Sequence, residues 1–220
     1  MDKLRDNFKQ LEKKIRDEAR QIYKNGSRSH AWDHVGRVYT LAVHIGEREG
    51  ADLHVLKLAA ILHDIGREAE TKSNGGICHA ACGAEMAAEV LRKHTHNEDL
   101  IKAVTHCIAT HRFRGKNKPQ TLEARVLFDA DKLDSIGAVG IGRSFLFAGE
   151  IGARLQNSQV DILQTKPYSI EDTAFREFSV KLKRVHSRML TSEGKRLARG
   201  RHRFMVNFFK RLHEETNGLK

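Results

Sequence analysis

In the stretch LKLAAILHDIGRE, residues 56–68, an apolar run of Leu58, Ala59, Ala60, Ile61 and Leu62 leads straight into His63 and Asp64. A helix that is apolar on nearly every face lies inside a protein, and a titratable pair at its end costs roughly 2–7 kcal/mol per unsatisfied group unless a partner compensates. The same oddity recurs in VLFDADKLDSIG, where Val126, Leu127 and Phe128 lead into Asp129, Asp131 and Asp134. His34 opens a third amphipathic stretch. Buried runs that end in acids, with a histidine at the start of another, call for a shared interior partner. A divalent cation fits, because two imidazoles and two carboxylates form a mixed N/O set suited to Mn, Fe, Co, Ni or Zn, with positions left for water and substrate. On a helix Leu127, Asp131, Asp134 and Ala138 share one stripe, which turns at least Asp131 toward the packed side.

The elements that must position these groups are helical. A first helix is written by Leu4, Phe8, Leu11, Ile15, Ala19 and Ile22, spaced by threes and fours, and Asn25, Gly26 and Ser27 end it. A second starts near Trp32 and turns Val35, Val38, Leu41, Ala42 and Ile45 inward. A third runs from about Asp52 to Ile65, with Gly66 as its stop. A polar loop then precedes an Ala-rich helix with His79 at its entrance. The next helix ends at His111, where Val104, Ile108 and His111 fall at i, i+4 and i+7, leaving His106 at an angle to the buried stripe. After the basic loop RFRGKNKPQ comes a helical stretch from Leu122, with its glycines as points of interruption. Amphipathic stretches over residues 173–190 and 195–212 complete the chain.

With 220 residues, 40% hydrophobic content, 6% aromatic content and only 2 Pro, the chain reads as one globular, all-α domain without repeats or a convincing linker. No apolar run approaches the ~20 residues of a membrane span, and the N-terminus is charged from its second residue, which points to the cytoplasm. Cys78, Cys82 and Cys107 fit a reducing compartment; the first two, four apart, read as thiols before they read as metal ligands. The net charge of +11 is uneven, since Lys181 to Arg211 holds eleven Lys or Arg against Glu193 alone. Such a face suits nucleic acid or another polyanion, or simply water. The glycines of SIGAVGIGR follow no strand and precede no Gly-Lys-Ser, so they serve helix packing rather than a phosphate loop. No Ser-His-Asp or Cys-His nucleophile signature emerges.

The ordered set HAWDHVGRVYTLA, LAAILHDIGRE, HAACGAEMA, THCIATHRFRG and VLFDADKLDSIGAVGIGR resembles the HD-domain metal-dependent phosphohydrolases, in their single-domain bacterial and archaeal subgroup, over roughly Ser29 to Gly152. The resemblance implies an all-α HD-type helical bundle with a core at about residues 29–152 and a C-terminal helical extension at about 153–220. It implies that His34, His63, Asp64 and Asp131 ligate a divalent ion (Mn, Fe, Co, Ni, Zn or Mg), with Asp131 chosen over Asp129 and Asp134 by the family's A-D-x-L-D pattern. Asp134 then supports the site from behind. His79 and His111 resemble histidines that hold a second metal or contact phosphate in some relatives, with His106 ranked below them.

Of the nearby bases Arg37, Arg67, Arg112, Arg114, Lys116, Lys118, Lys132 and Arg143, Arg67 is the best placed for a phosphoryl oxygen, as it stands where another subgroup carries lysine. Arg112 and Lys132 follow, each adjoining a site residue. Guanidinium groups suit phosphate through paired hydrogen bonds. The implied activity is hydrolysis of a phosphate ester or phosphoanhydride, of a nucleotide by preference, as a phosphatase, pyrophosphohydrolase or phosphodiesterase. Asp64 or a neighbouring histidine takes the proton from the attacking water. The alternative is a non-catalytic HD-fold regulator or nucleic-acid-binding protein that uses the basic C-terminal helices.

Overall fold

The structure, a computed structural model, describes residues 2–23, 32–73, 75–112, 117–157 and 160–220. The breaking residues Asn25, Gly26 and Ser27 and the basic residues Arg114 and Lys116 lie outside this set. Among the described residues the fold is all-α, without strands, as expected, and no helix is long and apolar enough to cross a membrane. The chain clusters into two compact units, Met1–Asp131 and Lys132–Lys220.

The first unit contains α1 (Asp2–Tyr23), α2 (Trp32–Glu49), α3 (Leu53–Leu62), α4 (Arg67–Lys72), α5 (His79–Arg92), α6 (Glu98–Thr110) and nearly all of α7 (Leu122–Leu133). Helix α3 is its axis. It packs against α1, α2 and α6, which is why Val55, Leu56 and Leu58 through Leu62 are all buried and only His54 and Lys57 near its start break its apolar surface. Asp52 starts it by accepting from the amides of His54 (2.7 Å) and Val55 (3.4 Å).

The end of α3 differs from the sequence expectation. The helix closes at Leu62, residues 63–66 form a turn tied by Ile65 N–H to Leu62 O and Arg67 N–H to Asp64 O, and the unexpected α4 begins at once. Gly66 is therefore no helix stop. Its φ of −85° is open to any residue, but a Cβ there would overlap the His79 carbonyl oxygen and stand 2.7 Å from the Gly83 amide nitrogen. The bare backbone lets the His-Asp turn and the start of α5 touch.

In the second unit, α8 (Gly137–Glu150) begins after residues 134–136 leave the helical conformation, so Ala138 does not continue the Asp131 stripe and is exposed. Gly137 has φ +78°, and a Cβ at Gly140 would crowd the Ser135 carbonyl and lie 3.1 Å from Met205 of α10 (Ser192–Thr216). These two glycines serve backbone shape and helix packing, as expected, whereas Gly142 meets open space. Residues 173–190 are not one helix: α9 (Ala174–Val180) stops at Lys181 (φ −136°, ψ −58°) and a 3-10 segment, Leu182–Arg188, follows. Phe145, Phe175, Phe178 and Phe209 form an aromatic core that neighbours α8, α9 and α10 share.

Candidate metal centre

Four helix ends and α7 deliver six side chains to the interior of the first unit. His34 comes from the first turn of α2, His63 and Asp64 from the turn after α3, His79 from the first position of α5, His111 from the C-cap of α6 and Asp131 from α7. All are buried, Asp131 being the least so at 8% exposure. They form two groups, His34–His63–Asp131 and Asp64–His79–His111, and within each the possible ligand atoms lie within 4.8 Å of one another. Asp64 joins the groups. Its Oδ2 is 3.6 Å from His34 Nε2 and 3.7 Å from His63 Nε2, while its Oδ1 is 3.4 Å from His111 Nε2 and 3.7 Å from His79 Nε2. Asp131 Oδ1 lies 3.5 Å from His34 Nε2.

Hydrogen bonds behind the rings set which nitrogens face inward. His63 Nδ1 is 2.8 Å from the Ala60 carbonyl and His111 Nδ1 is 2.6 Å from that of Ile108. A carbonyl only accepts, so Nδ1 carries the proton in both rings and Nε2 presents a lone pair. His63 Nε2 then lies 3.2 Å from His34 Nε2, and His111 Nε2 is buried without a hydrogen-bond partner. Inward lone pairs beside two carboxylates, with carbonyls fixing the rings from behind, could hold a cation.

Two of the rings, His63 and His79, are also held neutral, the form that ligates. Burial pulls His63 down to about 3, with Asp64 opposing, and burial aided by Arg67 pulls His79 down to about 4. Burial, with the nearby Asp64 charge, pushes the Tyr23 hydroxyl well above its usual range, so it stays protonated while its oxygen accepts the Asp64 amide at 3.1 Å.

Of the remaining residues singled out in the sequence, Arg67 and Arg112 join the second group's rim. Arg67 Nε donates to Asp64 Oδ1 at 3.0 Å, and Arg112 Nη1 reaches Cys78 Sγ at 3.2 Å. His106 turns elsewhere and accepts the Gln120 amide at 3.3 Å. Asp134 pairs with Arg143 (2.8 Å) within the second unit, Lys132 is half-buried, Lys118 is exposed, and Arg37 pairs with Asp33 (2.7 Å). Asp129, expected on a different face from Asp131, is fully buried too, but belongs to neither group. The cysteines are unoxidised and outside both groups.

Two contributors went unread in the sequence. Glu70 of α4 accepts from Arg67 Nη1 at 2.9 Å, lies 2.9 Å from His79 Nδ1 and pairs with Arg112 Nη2 at 3.2 Å. With α4 unrecognised, no periodicity pointed to it. Tyr23 was legible, since Ile15, Ala19 and Tyr23 step by four and all three are buried, whereas Ile22 is only half-buried.

The geometry separates the two aspartates by experiment. Asp131→Asn is expected to abolish turnover and weaken metal binding, while Asp129→Asn spares more of both; steady-state kinetics and metal analysis of the purified variants decide, and loss in Asp129→Asn alone would reassign the ligand.

The HD domain family profile matches residues 31–136. The uncharacterised protein YpgQ of Bacillus subtilis (strain 168) is 34% identical over 216 residues, covering 96% of each chain. Its crystal structure in complex with ADP superposes with a TM-score of 0.74 at 29% identity, over 95% of this chain and 96% of that one. An HD-superfamily hydrolase from Bacillus thuringiensis superposes with the same TM-score, 0.74, at 26% identity, over 96% and 98% of the two chains.

Proposed function

The chain belongs to the HD domain family, and from that premise we propose that it is a metal-dependent phosphohydrolase acting on a nucleotide. The observation that carries the reading is the inward convergence of imidazole lone pairs on Asp64 and Asp131. His34, His63, Asp64 and Asp131 would hold the divalent ion. When bound, that ion makes a water more acidic and withdraws charge from a phosphoryl oxygen. The chain's own groups supply the rest. Asp64 and His111, the latter with a bare Nε2, are placed to accept a proton from the attacking water. Arg67 and Arg112, partly open to solvent, carry N–H groups beyond those already bonded and suit the charge that develops on phosphate. The ADP complex of the B. subtilis relative supports a nucleotide as substrate.

The direct test is phosphate release from a nucleotide panel with Mn, Co, Ni, Zn or Mg supplied singly to metal-stripped protein. Activity that ignores the metal, or no release from any member of the panel, would remove the proposal. Arg67→Ala and Arg112→Ala are each expected to lower kcat/KM for a small nucleotide by about one to two orders of magnitude, the ~1.5–3 kcal/mol of a charge-assisted hydrogen bond.

The basic C-terminal helix has a separate part in this proposal, as a surface for nucleic acid. Arg201 is not available for it, since its Nη1 donates to the Leu133 carbonyl and its stem packs over Gly137, and Arg196 is paired with Glu193. Lys195, Arg199 and Arg203 are exposed along α10. Neutralising these three is expected to leave mononucleotide turnover within a few-fold while flattening the salt dependence of oligonucleotide binding. Kinetics and salt-dependent binding of the triple variant check both halves, and a collapse of mononucleotide turnover would place α10 at the active centre instead.

A further inference from the structure

We infer that the Glu70 carboxylate stands where a phosphate group of the substrate binds, as an internal competitor that the incoming phosphate displaces from Arg67 and Arg112. The inference rests on the reading of those two arginines as phosphate-binding groups, and goes beyond it by giving their present partner a part in binding and release. Three side chains from separate places in the chain close on Glu70. Arg67 Nη1, at the start of α4, donates to Oε2 at 2.9 Å, and His79 Nδ1, at the start of α5, lies 2.9 Å from the same oxygen. Arg112 Nη2, just past α6, reaches Oε1 at 3.2 Å. Two guanidinium groups and an imidazole around a pair of anionic oxygens make the surroundings that a phosphate takes on a protein.

Each arginine also has a second anchor. Arg67 Nε donates to Asp64 Oδ1 at 3.0 Å and Arg112 Nη1 reaches Cys78 Sγ at 3.2 Å, so both guanidinium groups keep a hold when the carboxylate leaves. Arg67 thereby links Asp64, in the candidate metal centre, to Glu70. A phosphate that bonds Arg67 beside Asp64 arrives against the Glu70 carboxylate, and two anions drawn to the same donors repel until one withdraws. Glu70 has room to do so. Its side chain is 16% exposed, with Arg67 at 29% and Arg112 at 37%, so the cluster opens to solvent. Helix α4, which carries Glu70, has no buried residue and yields more readily than the enclosed α3. Glu70 offsets the guanidinium charge while the site is empty and competes for the same N–H groups once it is filled. A phosphate is therefore held less tightly than the two arginines alone would hold it. A carboxylate that only ordered the arginines would act with the opposite sign, since its loss would loosen them and weaken phosphate binding.

The experiment is a calorimetric titration of inorganic phosphate into full-length protein, both metal-stripped and Mn2+-loaded. Glu70→Gln, which keeps the shape and removes the charge, is expected to bind phosphate about tenfold or more tightly than wild type in both preparations. Glu70→Ala is expected to show the same direction, which separates the loss of the carboxylate from any new bond made by the glutamine amide. Adding Arg112→Ala to Glu70→Gln is expected to cancel most of the gain. Equal or weaker phosphate binding by the folded Glu70 variants overturns the inference, as does a gain that survives intact without Arg112. If Arg67→Ala and Arg112→Ala in the wild-type background leave phosphate affinity unchanged, the placing of phosphate on these arginines fails, and the part given to Glu70 falls with it.

Discussion

Asp64→Asn is expected to release the divalent ion and to lower kcat/KM by at least about three orders of magnitude, which corresponds to about 4 kcal/mol of transition-state stabilisation. Asp64 faces both groups: one oxygen looks toward His34 and His63, the other toward His79, His111 and Arg67. Asparagine keeps the shape but removes the charge and places an amide hydrogen where a lone pair is needed. Arg67 loses the buried carboxylate that its Nε bonds and keeps Glu70 through Nη1. His63→Ala should show the same metal loss by removing an Nε2 that the Ala60 carbonyl holds inward. Elemental analysis beside steady-state kinetics decides the matter; full metal content in both variants would exclude these residues as ligands, whatever the activity.

Gly66→Ala is the second large effect, and it acts without touching any ligand. The added methyl would lie inside the contact distance of the His79 carbonyl oxygen and 2.7 Å from the Gly83 nitrogen, both backbone atoms that no rotamer change can clear. The turn bearing His63 and Asp64 must then move away from α5. Overpacking of this kind costs about 1–3 kcal/mol, which for a chain of this size lowers Tm by roughly 3–10 °C. Because the same displacement separates Asp64 from His79, weaker metal binding should accompany the lower Tm. Gly36→Ala, where a Cβ meets nothing within 4 Å, is the control. Thermal unfolding and metal titration of the two variants check the claim, and equal Tm values would mean that the contact yields at little cost.

Much of the buried histidine and aspartate cluster was legible because burial and polarity conflict in the sequence itself. His63 and Asp64 end a run with no polar face, Asp131 follows another, and His111 lies on the stripe of Val104 and Ile108, so each announces an interior polar site. Helix starts at Trp32, His79 and Leu122 followed from periodicity and from the polar and glycine-containing loops before them. The breaks were harder. Leu62, residues 134–136 and Lys181 interrupt stretches whose apolar spacing continues across them, because spacing records which side chains are buried and not whether the backbone between them stays hydrogen-bonded as a helix.

By itself the sequence determined that this chain is helical, that histidines and acids are buried together, and that its C-terminal part is basic, since these properties are carried residue by residue through propensity, hydropathy and charge. Only the tertiary structure decided which oxygen of Asp64 faces which histidines, that Glu70 gathers Arg67, Arg112 and His79, that Asp134 serves Arg143, and that Gly66 exists for the space it leaves against α5. Those facts depend on distances between segments remote in the chain. Such distances are set by how α3 is enclosed by its neighbours, a property of the packed core that no local pattern of residues records.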